Sequence, residues 1–153
     1  MYLKDFLEKY KEEQMKIFVD MDGVIADYNV MDVPGGYDKK RPLYLSLTKL
    51  EEISKMENVE LYILSVSRMS NGIEEKNIWL DKYAPFFKKE NRIIIARQDN
   101  NFEEAKVLKE QYLANLERDG SILIVIDDDP RVLKEIKEKQ KDIVLLKDTV
   151  LVD

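Results

Sequence analysis

The stretch MKIFVDMDGVIAD, residues 15–27, decides the fold of this chain. Residues 15–19 are a short apolar run that ends at an aspartate, which predicts a first, buried β-strand. Asp20 and Asp22 follow it directly. The carboxyl end of this strand is therefore the first place at which the sequence suggests chemistry.

The rest of the chain alternates between strands and helices. After a loop at 28–44, which contains Pro34-Gly35-Gly36 and Pro42, apolar β-branched runs alternate with amphipathic stretches. Strands are predicted at 59–64, 93–95, 122–126 and 143–146, and helices at 45–56, 73–83, 102–116 and 130–139. Such an alternation predicts an α/β fold, a Rossmann-like parallel sheet with helices on both faces. In these sheets, ligands bind at the carboxyl ends of the strands.

An amphipathic helix is predicted ahead of the first strand. Apolar residues recur there at helical spacing, at Leu3, Phe6, Leu7 and Tyr10. We expect a helical extension at 1–14 followed by one domain at 15–153. The extension either packs on the domain, forms a dimer contact, or reflects the choice of start site. It has no apolar core segment, so no secretory leader is predicted.

The composition excludes several classes of chemistry. The chain has no cysteine and no histidine, which excludes thiol nucleophiles, Ser-His-Asp triads, Cys/His zinc sites and imidazole catalysis. Carboxylate-bound hard cations, chiefly Mg²⁺, remain as metals. The net charge of −6 disfavours the binding of long nucleic acid through a broad basic face. Apolar runs fall short of the ~20 residues of a membrane span, so we expect no membrane contact and a cytoplasmic location.

A second acidic cluster, Asp127-Asp128-Asp129-Pro130, follows the strand predicted at 122–126. Carboxylates grouped at the apolar end of a strand repel one another and lose hydration, and a bound divalent cation is the simplest compensation. Helix capping explains Asp129, which directly precedes a proline, but it does not explain Asp20. The spacing after Asp22 does not continue as an EF-hand loop. We therefore expect a metal and catalytic site.

Residues 19–27 resemble the first motif of the haloacid dehalogenase-like (HAD) phosphatases, and especially that of the deoxyribonucleotidase branch. The resemblance covers most of the chain from Met15 onward, because the later motifs follow in order at strand ends. It implies that Asp20 attacks phosphorus to form an aspartyl-phosphate. It also implies that Asp22 protonates the leaving oxygen and then activates water. Gly23 would let the chain turn tightly beside the ligand.

The resemblance further implies a Mg²⁺ site. Asp127 and Asp128 are similar to the acidic pair of the family's fourth motif. Mg²⁺ would lie between Asp20, the backbone carbonyl of Asp22 and this pair, with Asp128 as the direct ligand and Asp127 as its support. The cation would shield the attacking carboxylate from the negative charge of the phosphate.

The family places a serine or threonine hydroxyl and nearby backbone amides around the phosphoryl oxygens, after the second strand. Here Ser65-Val66-Ser67-Arg68 follows the strand predicted at 59–64. We expect Ser65, nearest the strand end, to bind phosphate together with Val66, and we rank Ser67 below it. Arg68 is either a phosphate clamp or an ordinary surface residue.

The family also requires a lysine beside the nucleophile, and the helix predicted at 102–116 offers two. Apolar residues define one face of this helix, at Phe102, Ala105, Tyr112, Leu113 and Leu116. Lys109 projects into the middle of that face and Lys106 toward its edge. Because a lysine inside an apolar stripe is costly unless it meets an anion, Lys109 is preferred; alternatively, its stem only covers the core. The stretch from Lys109 to Asp128 also resembles polynucleotide 3′-phosphatase domains.

The segment at 28–44 is too short for the separate cap domain with which many family members read their substrates. A small open site follows, and the expected substrate is a nucleotide or another small phosphate ester. Lys39, Lys40 and Arg41 either meet a second phosphate or form a solvated loop, which is the favoured interpretation. Tyrosines that could stack on a base are Tyr28, Tyr37 and Tyr44. The alternatives are a 3′-phosphatase that acts on nucleic-acid ends and a phosphate-binding protein without turnover.

Overall fold

Five parallel strands form one sheet in the computed structural model, which describes residues 2–28 and 36–152. The strands are β1 (Met15–Val19), β2 (Val59–Ser67), β3 (Arg92–Ala96), β4 (Ile122–Asp127) and β5 (Ile143–Lys147). Their order in the sheet is β3-β2-β1-β4-β5, and every neighbouring pair is parallel. The predicted α/β fold with a parallel sheet is confirmed.

Helices cover both faces of the sheet, as predicted. They are α1 (Leu3–Lys9), α2 (Tyr44–Ser54), α3 (Asn71–Tyr83), α4 (Ala105–Ala114) and α5 (Pro130–Lys139). Ile17 and Ile63 pack under α1, α2 and α3, whereas Phe18 and Leu64 pack under α4 and α5. Because successive strand residues point to opposite faces, each strand supplies both cores. None of these helices, within the part of the chain described, is long and apolar enough to cross a bilayer.

The strand order reverses at β1, and this determines where a ligand can bind. β1 lies between β2 and β4, with Val19 in register with Ile63 on one side and Ile126 on the other. The backbone N–H of Asp20 donates to the carbonyl oxygen of Ile126 at 3.0 Å. The residues that follow β1 and β4 therefore lie side by side, at the switch point where open α/β sheets bind ligands.

β2 is longer than the sequence predicts. It continues through Ser67 instead of ending at Leu64, because β3 pairs with it as far as Ser67 opposite Ala96. The stretch Ser65-Val66-Ser67, which reads as a turn, is therefore part of the sheet. Its side chains therefore point alternately to the two faces of the sheet.

The helices α1 and α4 are shorter than predicted by several residues. α1 ends at Lys9, because residues 11–14 are all polar and offer no apolar side chain to pack on the core. α4 begins at Ala105, because Asn101 and Phe102 have φ values of 53° and 55°, which a right-handed helix does not allow.

Residues 36–43 fold against α3. They include a 3₁₀ turn at Tyr37–Lys39, in which the buried Tyr37 meets Trp79 edge-on, with ring centroids 6.1 Å apart. The Nε1–H of Trp79 donates to the carbonyl oxygen of Lys40 at 3.0 Å. The described part of the segment predicted as a loop is thus packed on the domain, and the prediction for 29–35 lies outside the described residues. Among the residues that the structure does describe, no separate cap domain occurs.

Candidate active site

Three carboxylates converge at the switch point. Asp20 follows β1, Asp127 is the last residue of β4, and Asp128 comes next. One oxygen atom from each lies within 4.8 Å of the other two. The side chains of Asp20 and Asp127 are only 11% and 1% exposed. The fold therefore joins the two acidic clusters of the sequence into one.

Lys109 reaches these carboxylates from α4. Its Nζ lies 2.9 Å from Oδ1 of Asp20 and 2.7 Å from Oδ2 of Asp127. Burial alone would lower the pKa of Lys109, but the charges of Asp20 and Asp127 raise it above its ordinary value, so the ammonium stays charged. Lys106 keeps 35% of its side chain exposed and lies 3.9 Å from Glu104. The structure places Lys109, and not Lys106, beside the carboxylates.

The cluster carries more negative than positive charge. Burial, which outweighs the opposing charge of Lys109, raises the pKa of Asp20 to about 6. Burial and the charge of Asp20 raise the pKa of Asp128 to about 6, and burial also raises that of Asp127. One ammonium does not balance three carboxylates. Clustered carboxylate oxygens whose charge is only partly balanced fit a hard divalent cation such as Mg²⁺.

Gly23 makes room for this cluster. Its φ is +82°, in a region that L side chains rarely adopt. A Cβ at this position would lie 2.0 Å from Oδ2 of Asp128. Any other residue would therefore strain the backbone and push the Asp128 carboxylate out of place.

Asp22 pairs with two lysines, Lys40 and Lys76, and not with the carboxylate cluster. Lys40 Nζ lies 2.9 Å from its Oδ1, and Lys76 Nζ lies 3.3 Å from its Oδ2. Burial would raise the pKa of Asp22, but Lys76 and Lys40 together hold it below its ordinary value, so the side chain is ionised. The expectation that Lys40 lies in a solvated loop is wrong, since its side chain is only 10% exposed.

Ser65 does not lie in a loop beyond β2 but inside the strand. It is fully buried, and Lys76 Nζ donates to its Oγ at 2.7 Å and to the carbonyl oxygen of Val66 at 3.0 Å. Val66, whose side chain points to the opposite face, lines the cavity in front of the carboxylates. The hydroxyl predicted to bind phosphate is therefore turned toward Lys76.

Lys76 is a site residue that the sequence prediction missed. Only 3% of it is exposed, and burial lowers its pKa. The signal is present in the sequence, because Ile73, Lys76 and Leu80 recur along one face of α3 at helical spacing. A lysine inside such a face needs an anion, and here that anion is Asp22.

The remaining predicted candidates lie outside this group. Arg68 is exposed and does not line the cavity. The side chain of Arg41 is 84% exposed and pairs with Asp27 at 2.7 Å. Ser67 Oγ is buried, with no hydrogen-bond partner in the described part of the chain. Their binding roles stay predictions.

A cavity of about 420 Å³ opens in front of the carboxylates. Besides them, its walls are formed by the side chains of Tyr28, Val66, Ala105, Lys109, Arg131 and Val132, among others. Of the three tyrosines predicted to stack on a base, Tyr28 borders this cavity, Tyr37 is buried, and Tyr44 lines another cavity. The volume is that of a small-molecule site.

No protein-family model and no curated protein matches the sequence. Solved structures do match it. One chain from a Pnkp1/Rnl/Hen1 complex covers 88% of this chain at 14% identity with a TM-score of 0.68, and one from a Pnkp1/Rnl/Hen1 RNA repair complex covers 89% at 15% identity with a TM-score of 0.67. The class C acid phosphatase from Bacillus anthracis, solved with tungstate bound, covers 97% at 14% identity with a TM-score of 0.53. This chain shares their fold.

The matched proteins are longer than this chain. It spans 46% and 42% of the two Pnkp1/Rnl/Hen1 chains and 73% of the acid phosphatase. At these levels of identity, the similarity establishes the fold alone.

Proposed function

We propose that this chain is a Mg²⁺-dependent phosphomonoester hydrolase of the HAD-like type that works through an aspartyl-phosphate on Asp20. The observation that carries the proposal is the position of Lys109, whose Nζ bridges Asp20 and Asp127 at 2.9 and 2.7 Å inside the three-carboxylate cluster. The fold shared with an acid phosphatase that was solved with tungstate bound supports it.

Asp20 is the nucleophile in this proposal. It borders the cavity, and with a pKa of about 6 it is ionised at neutral pH, as attack requires. When its carboxylate attacks phosphorus, the acyl-phosphate bond forms and the bond from phosphorus to the leaving oxygen breaks. Lys109 offsets the negative charge that accumulates as the phosphate approaches.

Asp20, Asp127 and Asp128 are proposed to hold Mg²⁺, together with the backbone carbonyl of Asp22. Their clustered oxygens and their shortage of positive charge fit this ion. When bound, Mg²⁺ shields the charge of the phosphate from that of Asp20. Gly23 keeps Asp128 within reach of the cluster.

Asp22 is proposed to carry protons. Because the free side chain is ionised, it first takes up a proton, which a singly protonated phosphate ester supplies. It gives this proton to the leaving oxygen in the first step, and the resulting carboxylate accepts a proton from the water that hydrolyses the phosphoenzyme. Lys40 and Lys76 favour its carboxylate form, which the second step needs. Phosphate and free Asp20 are then released.

The proposed substrate is a small phosphate ester, with a nucleotide as the first choice. The cavity of about 420 Å³ accommodates a molecule of this size, and Tyr28 presents an aromatic ring, 63% exposed, at its edge.

A 3′-phosphatase acting on nucleic-acid ends is the second candidate. The similarity to chains of the Pnkp1/Rnl/Hen1 RNA repair complex, over 88% and 89% of this chain, favours it. The net charge of −6 opposes extended contact with a nucleic-acid backbone. A short 3′-phosphorylated end fits this site better than a long duplex.

The deciding experiment is a panel of phosphate esters assayed with and without Mg²⁺. The panel contains p-nitrophenyl phosphate, 5′- and 3′-nucleotides, and a 3′-phosphorylated oligonucleotide. We expect turnover that EDTA abolishes and that Asp20→Asn eliminates, with preference for the mononucleotides. Full activity of Asp20→Asn excludes Asp20 as the nucleophile. A strong preference for the oligonucleotide supports the second candidate, a 3′-phosphatase.

A further inference from the structure

The buried ammonium of Lys76 is surrounded by as many hydrogen-bond acceptors as it has protons. Its ammonium has three protons, and three acceptors surround it: Asp22 Oδ2 at 3.3 Å, Ser65 Oγ at 2.7 Å and the carbonyl oxygen of Val66 at 3.0 Å. Its side chain is 4% exposed. All of its hydrogen-bonding capacity is used in one direction, toward the carboxyl ends of the strands.

These contacts join two neighbouring strands through a helix. Asp22 follows β1, Ser65 and Val66 belong to β2, and Lys76 is on α3. β2 is held in turn by β3, where Ser65 is in register with Ile94. The sheet therefore fixes the positions of Ser65 and Val66, which hold the ammonium of Lys76. Through its contact with Asp22, Lys76 in turn restricts the position of the Asp22 carboxylate.

The energetics favour a role directed at Asp22. A buried ammonium loses several kcal/mol of hydration unless its partners replace that hydration. Leucine or methionine would fill an apolar helix face without this cost. The lysine is compensated by an ion pair with Asp22 together with two neutral acceptors, one of which is the hydroxyl of Ser65, a polar group buried inside a strand.

We propose that Lys76 is a positioning residue that holds the carboxylate of Asp22 in place for its acid–base work. This inference rests on the proposed function. Asp22 acts on the leaving oxygen and on water, so a displaced Asp22 slows the steps in which a proton moves. Lys76 does not line the cavity in front of the carboxylates, so we expect phosphate binding to depend on it much less than these proton transfers do.

The test measures the phosphoenzyme directly. Wild type, Lys76→Met and Lys76→Gln are mixed with ³²P-labelled substrate and Mg²⁺ and quenched in acid, and hydroxylamine-sensitive label on the protein is counted over time. General acid–base catalysis contributes roughly 10²–10⁴-fold, so breakdown of the phosphoenzyme in the variants should slow by at least about 10-fold while the affinity for inorganic phosphate changes little. With p-nitrophenyl phosphate, whose leaving group needs little protonation, formation is slowed less than breakdown, so label should accumulate above the wild-type level.

Four further variants complete the design. Lys82→Met, an exposed lysine on the same helix, should behave as wild type. Asp22→Asn and the double variant Asp22→Asn/Lys76→Met should be equally slow, because Lys76 acts through Asp22. If Lys76→Met does not fold, as judged by circular dichroism, Ser65→Ala removes one acceptor and should slow phosphoenzyme breakdown to a smaller extent.

The outcomes separate this inference from the proposed function. If the wild type turns over no ester and takes up no label, both the proposed function and the role of Lys76 are wrong. An active wild type together with folded Lys76 variants whose phosphoenzyme breaks down at the wild-type rate overturns the role of Lys76 alone. An effect of Lys76→Met that adds fully to that of Asp22→Asn also overturns it.

Discussion

Lys109 Nζ lies 2.9 Å from Oδ1 of Asp20, although the two residues are far apart in the sequence. Lys109 is on α4, and Asp20 directly follows β1. The contact exists because β1 and β4 are neighbours in the sheet and α4 precedes β4. We therefore expect turnover to depend on the buried ammonium of Lys109.

Lys109→Met should lower kcat/KM for phosphate esters by about 10²–10³-fold, as loss of one preorganised hydrogen-bond donor does in other enzymes. Lys106→Met is the matched control, since Lys106 is on the same helix but outside the cluster. Steady-state kinetics of both variants decide the matter. Loss of turnover in Lys106→Met, with Lys109→Met unaffected, contradicts the assignment.

Asp128→Asn should change how stability depends on pH. The pKa of Asp128 is raised from 3.8 to about 6 in the folded chain, so the folded state binds more protons than the unfolded state between these values. Its contribution to the free energy of unfolding is then present at low pH and is lost as the pH rises toward 6. In EDTA, the Tm of the variant relative to wild type should therefore rise by about 2–4 °C between pH 4.5 and 7.5.

Added Mg²⁺ supplies the second readout for this variant. It should raise the Tm of wild type, because a ligand that binds only the folded state stabilises it, and it should have little effect on Asp128→Asn. A Tm difference that is constant with pH contradicts the raised pKa of Asp128, and equal Mg²⁺ stabilisation of both proteins is evidence against the metal site.

Gly23→Ala and Gly120→Ala form a matched pair. Both glycines have positive φ, +82° and +90°, but a Cβ at Gly120 meets nothing within 4 Å, whereas one at Gly23 meets Asp128. Gly120→Ala should cost about 1–3 kcal/mol of backbone strain. Gly23→Ala should cost more in urea unfolding and should also abolish the Mg²⁺-dependent rise in Tm. Equal behaviour of the two variants would show that Gly23 matters only for its backbone.

Ser65→Ala distinguishes the sequence-based role of this serine from its position in the structure. A hydroxyl that binds phosphate predicts a large rise in KM. The buried hydroxyl that accepts from Lys76 at 2.7 Å predicts an unchanged KM and a moderately lower kcat. Isothermal titration with inorganic phosphate provides the independent measurement, and clearly weaker phosphate binding in the variant restores the original assignment.

The sequence was sufficient to predict the sheet, its helices and the meeting of the two acidic clusters. Runs such as 15–19 and 122–126 are apolar on both faces, which is typical of central parallel strands, and each ends in aspartates. Lys109 was separable from Lys106 because one residue step on a helix turns a side chain by about 100°.

Other features depended on contacts that no local pattern encodes. The length of β2 is decided by its pairing with β3, not by the composition of Ser65-Val66-Ser67. The side chain of Lys40 is only 10% exposed because the backbone of its segment is fixed to α3, where Trp79 donates to the carbonyl oxygen of Lys40, and because its Nζ meets Asp22. Lys76 had a visible helical signal, but its partner Asp22 could be identified only once β1 and α3 were placed together.

The position of β1 between β2 and β4 has a consequence for how the site is assembled. In sequence, β1 and β4 are separated by α2, β2, α3, β3 and α4. The carboxylates of Asp20, Asp127 and Asp128 come together only when β4 pairs with β1. Loss of that strand pairing would therefore divide the sheet and disperse the carboxylates in one event.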